Sequence, residues 1–187
     1  MHRILVAFAA AAWLAGPATA GDIADRASQA EALAKDGKYL EAIGALDEAS
    51  AALWSAAPLT FRKTLWVAEP PGGFGAYNPR EGVAFDSGAA MIAYAEPVGF
   101  GWAKSGDLWK TDIAADFFVK TKDGKVLGDQ KDFQQIKLTS RIKNREFMVH
   151  FTYTFNGIPA GEYVVDTTLR DNVSGKSGTF SLPFTIN

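Results

Sequence analysis

Cysteine occurs at none of the 187 positions of this chain. That absence excludes disulfide staples, thiolate nucleophiles, cysteine-based zinc sites and iron–sulfur ligation. Histidine is nearly as scarce, with His2 and His150 the only two. A histidine metal cluster cannot be assembled from them, and no Gly-x-Ser-x-Gly turn is present to supply a triad nucleophile. Gly72, Gly73 and Gly75 form a glycine-rich stretch, but the Lys-Ser/Thr pair and strand–helix setting of a phosphate loop are missing. A strong charge of one sign is also absent: 19 Lys and Arg stand against 21 Asp and Glu, without blocks. That balance argues against nucleic acid as a partner. No cofactor is implied by any of these residues.

Long apolar runs are missing too. The longest, Ile4 to Leu14, is well short of the roughly 20 residues a membrane span needs. It follows the basic Met1-His2-Arg3 and precedes the small-residue site Ala18-Thr19-Ala20. Residues 1–20 thus read as a secretory signal peptide cleaved after Ala20. No cysteine follows that site, so no lipoprotein anchor is expected. The expected location is periplasmic or secreted. The mature chain of 167 residues would carry 18 basic and 21 acidic side chains, a net charge of −3. Its length suits one domain with a small extension, long enough to bury a core without disulfides.

Residues 21–57 predict a helical hairpin. They contain no proline and are rich in Ala, Glu, Leu and Asp. Gly37 divides them and supplies a left-handed cap. After it, Tyr39, Ile43, Leu46, Ser50, Leu53 and Ala57 step by three and four, so they lie on one stripe. Ala30, Gly37, Tyr39, Ala42, Leu46 and Ala49 resemble the middle of a tetratricopeptide repeat, although Trp54 stands where that repeat places its proline and Pro58 comes four residues late. A single repeat cannot form a solenoid groove, because about three are needed for a continuous core. The hairpin is then a helical pair packed on the following domain, or a docking or dimerisation element.

From Pro58 the pattern changes from helical period to alternation. Leu59–Glu69 is the first strand, with Phe61, Leu65 and Trp66 as anchors, and Pro70-Pro71-Gly72-Gly73 ends it. Ala89–Glu96 is the second strong strand. Leu108–Lys120 alternates, Lys122-Asp123-Gly124-Lys125 turns the chain, and Val126 to Arg141 returns. The clearest pattern is Glu146–Ile186. Phe147, Val149, Phe151, Tyr153 and Phe155 share one face, then Tyr163, Val165, Thr167 and Leu169, then Phe180, Leu182, Phe184 and Ile186. Pro183, on an outward face, marks a sheet edge or bulge. The expected fold is mainly β: an antiparallel immunoglobulin-like β-sandwich of about seven strands over residues 58–187, behind the helical hairpin.

Two resemblances follow from these residues. Ile158-Pro159-Ala160-Gly161-Glu162-Tyr163, with Leu169-Arg170-Asp171, Ser174-Gly175-Lys176 and Phe180-Ser181-Leu182-Pro183-Phe184, resembles the closing hairpin of bacterial immunoglobulin-like and fibronectin-like accessory modules. Tyr77-Asn78-Pro79-Arg80 and Tyr94-Ala95-Glu96-Pro97-Val98-Gly99-Phe100 are similar to segments of an uncharacterised family of exported bacterial proteins. The first resemblance implies architecture, and neither implies an activity.

Few residues point to chemistry. His150 lies on an outward face without a second ligand. Glu96, Asp116 and Asp166 would support a carboxylate-dependent hydrolase acting on envelope glycan only if two of them stood about 5–10 Å apart in a cleft. The better candidates are the aromatic, glycine-rich loops: Phe74, Tyr77, Phe100, Trp102 and Trp109, with Arg80 and Glu96 nearby. They fit contact with a protein or an envelope glycan. The expected function is a non-enzymatic binding or interaction module of the cell envelope. A glycan hydrolase and a structural assembly subunit are the alternatives.

Overall fold

The structure is a computed structural model and describes residues 20–187. The expected signal peptide lies outside these residues except for Ala20, where the first helix begins. Among the described residues the chain is mainly β, preceded by two helices, and it divides into two compact units at Leu53/Trp54.

The first unit holds the helical hairpin up to Leu53, and the last three residues of its second helix fall in the second unit. Helix α1 spans Ala20–Lys35 and α2 spans Tyr39–Ala56. Gly37 takes φ 74° between them. The Gly37 N–H donates to Ala34 O at 3.0 Å and the Lys38 N–H to Leu33 O at 2.9 Å, which satisfies carbonyls that the end of α1 leaves open. The helices meet through small residues: Ala30 faces Ala42 and Ala45, with Leu33 and Ala34 alongside. Arg26 and Glu48 form an ion pair between them. The large residues of the apolar stripe are not used here, and Tyr39, Ile43, Leu46 and Leu53 are all more than half exposed.

The second unit holds nine strands in two curled sheets. Strands β1 (Thr60–Val67), β3 (Met91–Val98) and β7 (Val149–Tyr153) form a three-stranded antiparallel sheet in the order β1-β3-β7. The larger sheet contains β2 (Ala84–Phe85), β4 (Ala103–Ser105), β5 (Leu108–Thr121), β6 (Val126–Ser140), β8 (Gly161–Asp171) and β9 (Ser177–Ile186). Its order is β2-β9-β8-β5, and β5 pairs in addition with β4 and β6. Both sheets contribute to one core of twenty buried side chains, among them Ala93, Phe151, Val165, Leu169 and Phe184.

The alternation read from the C-terminal strands holds. Tyr163, Val165, Thr167 and Leu169 are buried on β8, and Phe180, Leu182, Phe184 and Ile186 on β9. Pro183 faces outward, where β2 does not reach it: β2 pairs only with Thr185 and Ile186. Its carbonyl accepts a hydrogen bond from the Trp66 indole N–H at 2.8 Å. Nine strands stand where about seven were expected, because the short β2 and β4 pair with β9 and β5, and several boundaries differ as well. β3 continues through Pro97 to Val98, because Pro97 pairs with Phe61 at the register irregularity of β1. β7 is shorter than the alternation around it, and Phe147 and Phe155 lie beyond its ends.

Candidate functional site

Among the described residues, β6 pairs with β5 alone and β7 with β3 alone. Between these two edge strands lies a cavity of about 300 Å³. Phe117 of β5, Phe133 of β6, Tyr153 of β7, and Phe155 and Ile158 beyond β7 line it. Val119 of β5, Leu127 to Gln130 of β6, and Thr152 and Thr154 complete it.

A bulge places the key ring. Opposite Ala115–Phe117, β6 runs from Gln134 to Gln130, so three residues of β6 oppose Asp116 alone. Extra residues in one strand bend it and re-aim its side chains. Asp132 sits in the bulge with φ 52°, a left-handed conformation rare outside glycine. Its N–H donates to Asp116 Oδ1 at 2.7 Å. Arg170 of β8 ties the bulge from the outer face: its Nε donates to Asp116 Oδ2 at 2.8 Å and its Nη2 to Asp132 Oδ1 at 2.5 Å. The Arg170 guanidinium, helped by the Asp132 N–H, holds the Asp116 carboxyl below the usual carboxylate range, against a smaller opposing effect of burial. Phe133, next in the chain, then meets Phe117 edge-on at 4.9 Å and stacks on Tyr153 at 5.5 Å.

The walls are apolar. Tyr153 stacks on Phe155 at 6.0 Å, and Phe155 on Phe184 at 5.5 Å. The Tyr153 hydroxyl is shared with Thr167 Oγ1 at 2.6 Å inside the core. Burial pushes that phenol's pKa up, so it stays neutral. The site therefore offers ring faces inside and Asp129, Gln130 and threonine hydroxyls at the rim. Such a cavity holds an apolar or planar group, and its volume is at the lower end of about 300–1,000 Å³ for small-molecule pockets.

The residues expected to bind lie elsewhere and are not gathered into one cleft. Phe100 is 1% exposed, with Trp54 at 5.2 Å and Phe147 at 5.2 Å against its ring. Trp102 is half-buried beside it at 5.5 Å. Glu96 is buried, and its Oε1 accepts the Tyr94 hydroxyl at 2.8 Å. Tyr77 packs against the Tyr94 ring at 4.3 Å, and the Gly75 N–H donates to the Tyr94 hydroxyl at 2.9 Å. These contacts clamp the 70–79 loop onto β3, and burial, with Glu96 nearby, pushes the Tyr94 phenol up to about 12. Phe74 lies under the Arg62 guanidinium, and Arg80 lies over Phe85. Trp109 is held between Lys104 at 4.7 Å and Lys143 at 4.3 Å.

Of the three carboxylates considered for hydrolysis, two are neighbours: Asp116 and Asp166 lie on the adjacent strands β5 and β8, two register positions apart on one face, and each is engaged by a basic side chain. Glu96 belongs to the three-stranded sheet, while Asp116 and Asp166 belong to the larger one. Asp116 is paired with Arg170, and Asp166 with Lys120 at 2.5 Å and with Ser181 Oγ at 2.7 Å. His150 is half-buried on β7, opposite Tyr94. Among the described residues no group of three or more His, Asp or Glu side chains is placed to hold a metal ion, and no helix is long and apolar enough to cross a membrane.

The cavity-lining residues were visible in the sequence only as core candidates. Phe117 and Phe155 fall on inward faces, and nothing local distinguishes them from Ala115 or Phe151. The one local signal is Lys131-Asp132, which interrupts the alternation of β6 just before Phe133.

Comparison with protein families finds no match, and comparison with curated proteins finds none. Among solved structures, the chain is similar to an alkylpurine DNA glycosylase, AlkC, of Pseudomonas fluorescens bound to DNA containing an abasic site analog. The TM-score is 0.38 and the identity 10%, over 86% of this chain and 42% of that one. A likeness at that score carries no argument about fold or activity.

Proposed function

We propose that this chain is an exported, non-enzymatic binding module of the bacterial cell envelope. It belongs with the exported bacterial proteins that its Tyr-Asn-Pro-Arg and Tyr-Ala-Glu-Pro-Val-Gly-Phe segments resemble. Its scaffold is an immunoglobulin-like sandwich. Two features support that scaffold: two antiparallel sheets share one core, and the Tyr163 hydroxyl donates back to Pro159 O at 2.7 Å, as in the tyrosine corner of such folds. The single observation that carries the binding role is the ring-lined cavity between β6 and β7. It takes an apolar side chain of a protein partner. The unpaired edges of β6 and β7 favour an extended protein segment over a glycan, because such a segment can add backbone hydrogen bonds at an edge while its side chains enter the cavity.

Leu127 lies on the cavity rim and is 43% exposed, so replacing it leaves the core intact. The immobilised protein and its Leu127→Asp variant are incubated with envelope extract, with and without prior protease treatment. Capture that is lost both in the variant and after proteolysis supports the reading. Equal capture by the two proteins would place the binding surface elsewhere, and capture that survives proteolysis would indicate a glycan.

A further inference from the structure

The stripe on α2 has a spacing that its own hairpin does not use. Tyr39, Ile43, Leu46, Ser50 and Leu53 follow one another at steps of four, three, four and three. That is the a/d spacing of a helix seam, with a period of 3.5 residues. The contact with α1 uses a neighbouring face instead, through Ala42 and Ala45. Tyr39 is 67% exposed, Ile43 56%, Leu46 51% and Leu53 57%, and Leu40 beside them is 83% exposed. A seam of this kind is complementary to another helix and of little use in water.

The hairpin also provides a receptor for it. A groove of about 370 Å³ runs along the two helices, walled by Ala27, Ala30 and Ala34 of α1 and by Tyr39, Ile43 and Leu46 of α2. The alanines leave room for the large side chains of an incoming helix. We propose that the occupant is α2 of a second copy, so that two hairpins form a four-helix bundle about a two-fold axis. Self-complementarity supports this choice: the same patch carries both the large ridge and the small-residue wall, as an isologous interface requires. Area supports it as well. At roughly 100 Å² of exposed surface apiece, five side chains give about 500 Å² per copy, and the pair reaches the roughly 1,000 Å² at which specific interfaces begin. Glu31 is the charged residue of the groove, and Lys35 on the same helix neutralises it at 2.8 Å; the residues flanking the stripe, Ala42, Asp47 and Ala49, add no run of like charge.

The test is the mass of the purified protein, measured by light scattering and sedimentation from micromolar to millimolar concentration. A dimer is expected, and Leu46→Glu should weaken its dissociation constant at least tenfold while the helical circular dichroism is retained. Leu46 is midway between Tyr39 and Leu53, so it meets its own copy in either helix orientation. Because the chain has no native cysteine, Leu46→Cys offers a second readout that does not depend on the glutamate variant folding. Its oxidation should give a covalent dimer, whereas cysteine at Asp36, in the turn off the seam, should not. A wild-type monomer throughout the range, or equal cross-linking at both positions, overturns the proposal.

Discussion

Lys176 shows what a single residue of the Ser-Gly-Lys turn does. Its Nζ donates to three backbone carbonyls: Ser55 at 2.7 Å, Ala57 at 2.7 Å and Gly99 at 3.0 Å. It thereby fastens the segment before β1 and the turn after β3 to the β8–β9 hairpin. Asp171 completes the junction from the other end of that turn. It is 2% exposed, and its Oδ2 accepts the Gly101 N–H at 2.6 Å and the Ser174 hydroxyl, while its Oδ1 accepts the Val173 N–H at 3.0 Å. The backbones meet so closely that two glycines are required. A Cβ on Gly99, which has φ 84°, would collide with Pro58 O, and one on Gly178 would collide with Leu59 O. We expect Gly178→Ala to destabilise the fold by about 1–3 kcal/mol or more, because backbone cannot yield as a side chain can. Lys176→Met should cost a similar ~1–3 kcal/mol by leaving the part-buried carbonyls of Ala57 and Gly99 without this donor. Lys176→Arg should not restore it, since a planar guanidinium does not converge on three carbonyls as an ammonium does. Urea unfolding followed by tryptophan fluorescence measures both losses, and a wild-type midpoint for Gly178→Ala would show that the junction relaxes.

Among the elements, the β6 bulge links an ion cluster on the outside of the sheet to a ring on the inside. Asp116, Asp132 and Arg170 hold the bulge, and the bulge aims Phe133 into the cavity. A carboxyl whose pKa is lowered on folding stabilises the fold above its unfolded value of about 3.9, and that contribution disappears as pH falls through the lower, folded value. Stability should therefore decline on acidification below about pH 4. Asp116→Asn should be about 1–3 kcal/mol less stable at neutral pH, with a flatter acid limb. Denaturant midpoints measured across the acid range test this; parallel curves for wild type and Asp116→Asn would show that the cluster does not sense pH. The strands themselves were readable from the sequence because period-2 alternation is a local property, as Tyr163 to Leu169 and Phe180 to Ile186 demonstrate. Other features depend on partners far apart in the chain. Glu96 looked like an accessible strand-end carboxylate, yet Tyr94 and the 70–79 loop cover it. Phe100 looked like a loop aromatic, yet Trp54 and Phe147 enclose it. The cavity is built from residues 117, 133 and 153–158, which no window of sequence brings together. On α2 the periodicity identified which residues share a face, but the side turned to α1 was decided by the alanines, which permit close helix approach.

The whole chain combines two units with very different cores. The β unit buries twenty core residues, including Tyr153, Phe151, Phe180 and Phe184. The helical unit buries Ala30, Ala42 and Ala45, with Leu33 and Ala34 beside them. Isolated helices of about 12–15 residues are marginal in water, and an alanine contact adds little beyond roughly 0.8 kcal/mol per buried methylene-sized group. Helices of 16 and 18 residues joined by such a contact should therefore open before the sheets do. The large apolar residues that could stabilise them are on the exposed seam, so pairing with a second copy should raise their stability by mass action. The tryptophans help to separate the two events: Trp66, Trp102 and Trp109 lie in the β unit, Trp54 in the last turn of α2 packs on Phe100 and falls on the same side of the division, and Trp13 lies in the expected signal peptide. Denaturant unfolding of the mature chain should then show helical circular dichroism lost before tryptophan fluorescence. Raising the protein concentration should move the helical transition to higher denaturant and leave the tryptophan transition in place, and Leu46→Glu should abolish that shift. Coincident transitions at every concentration would mean that the chain unfolds as one cooperative body, and that the exposed seam contributes nothing through association.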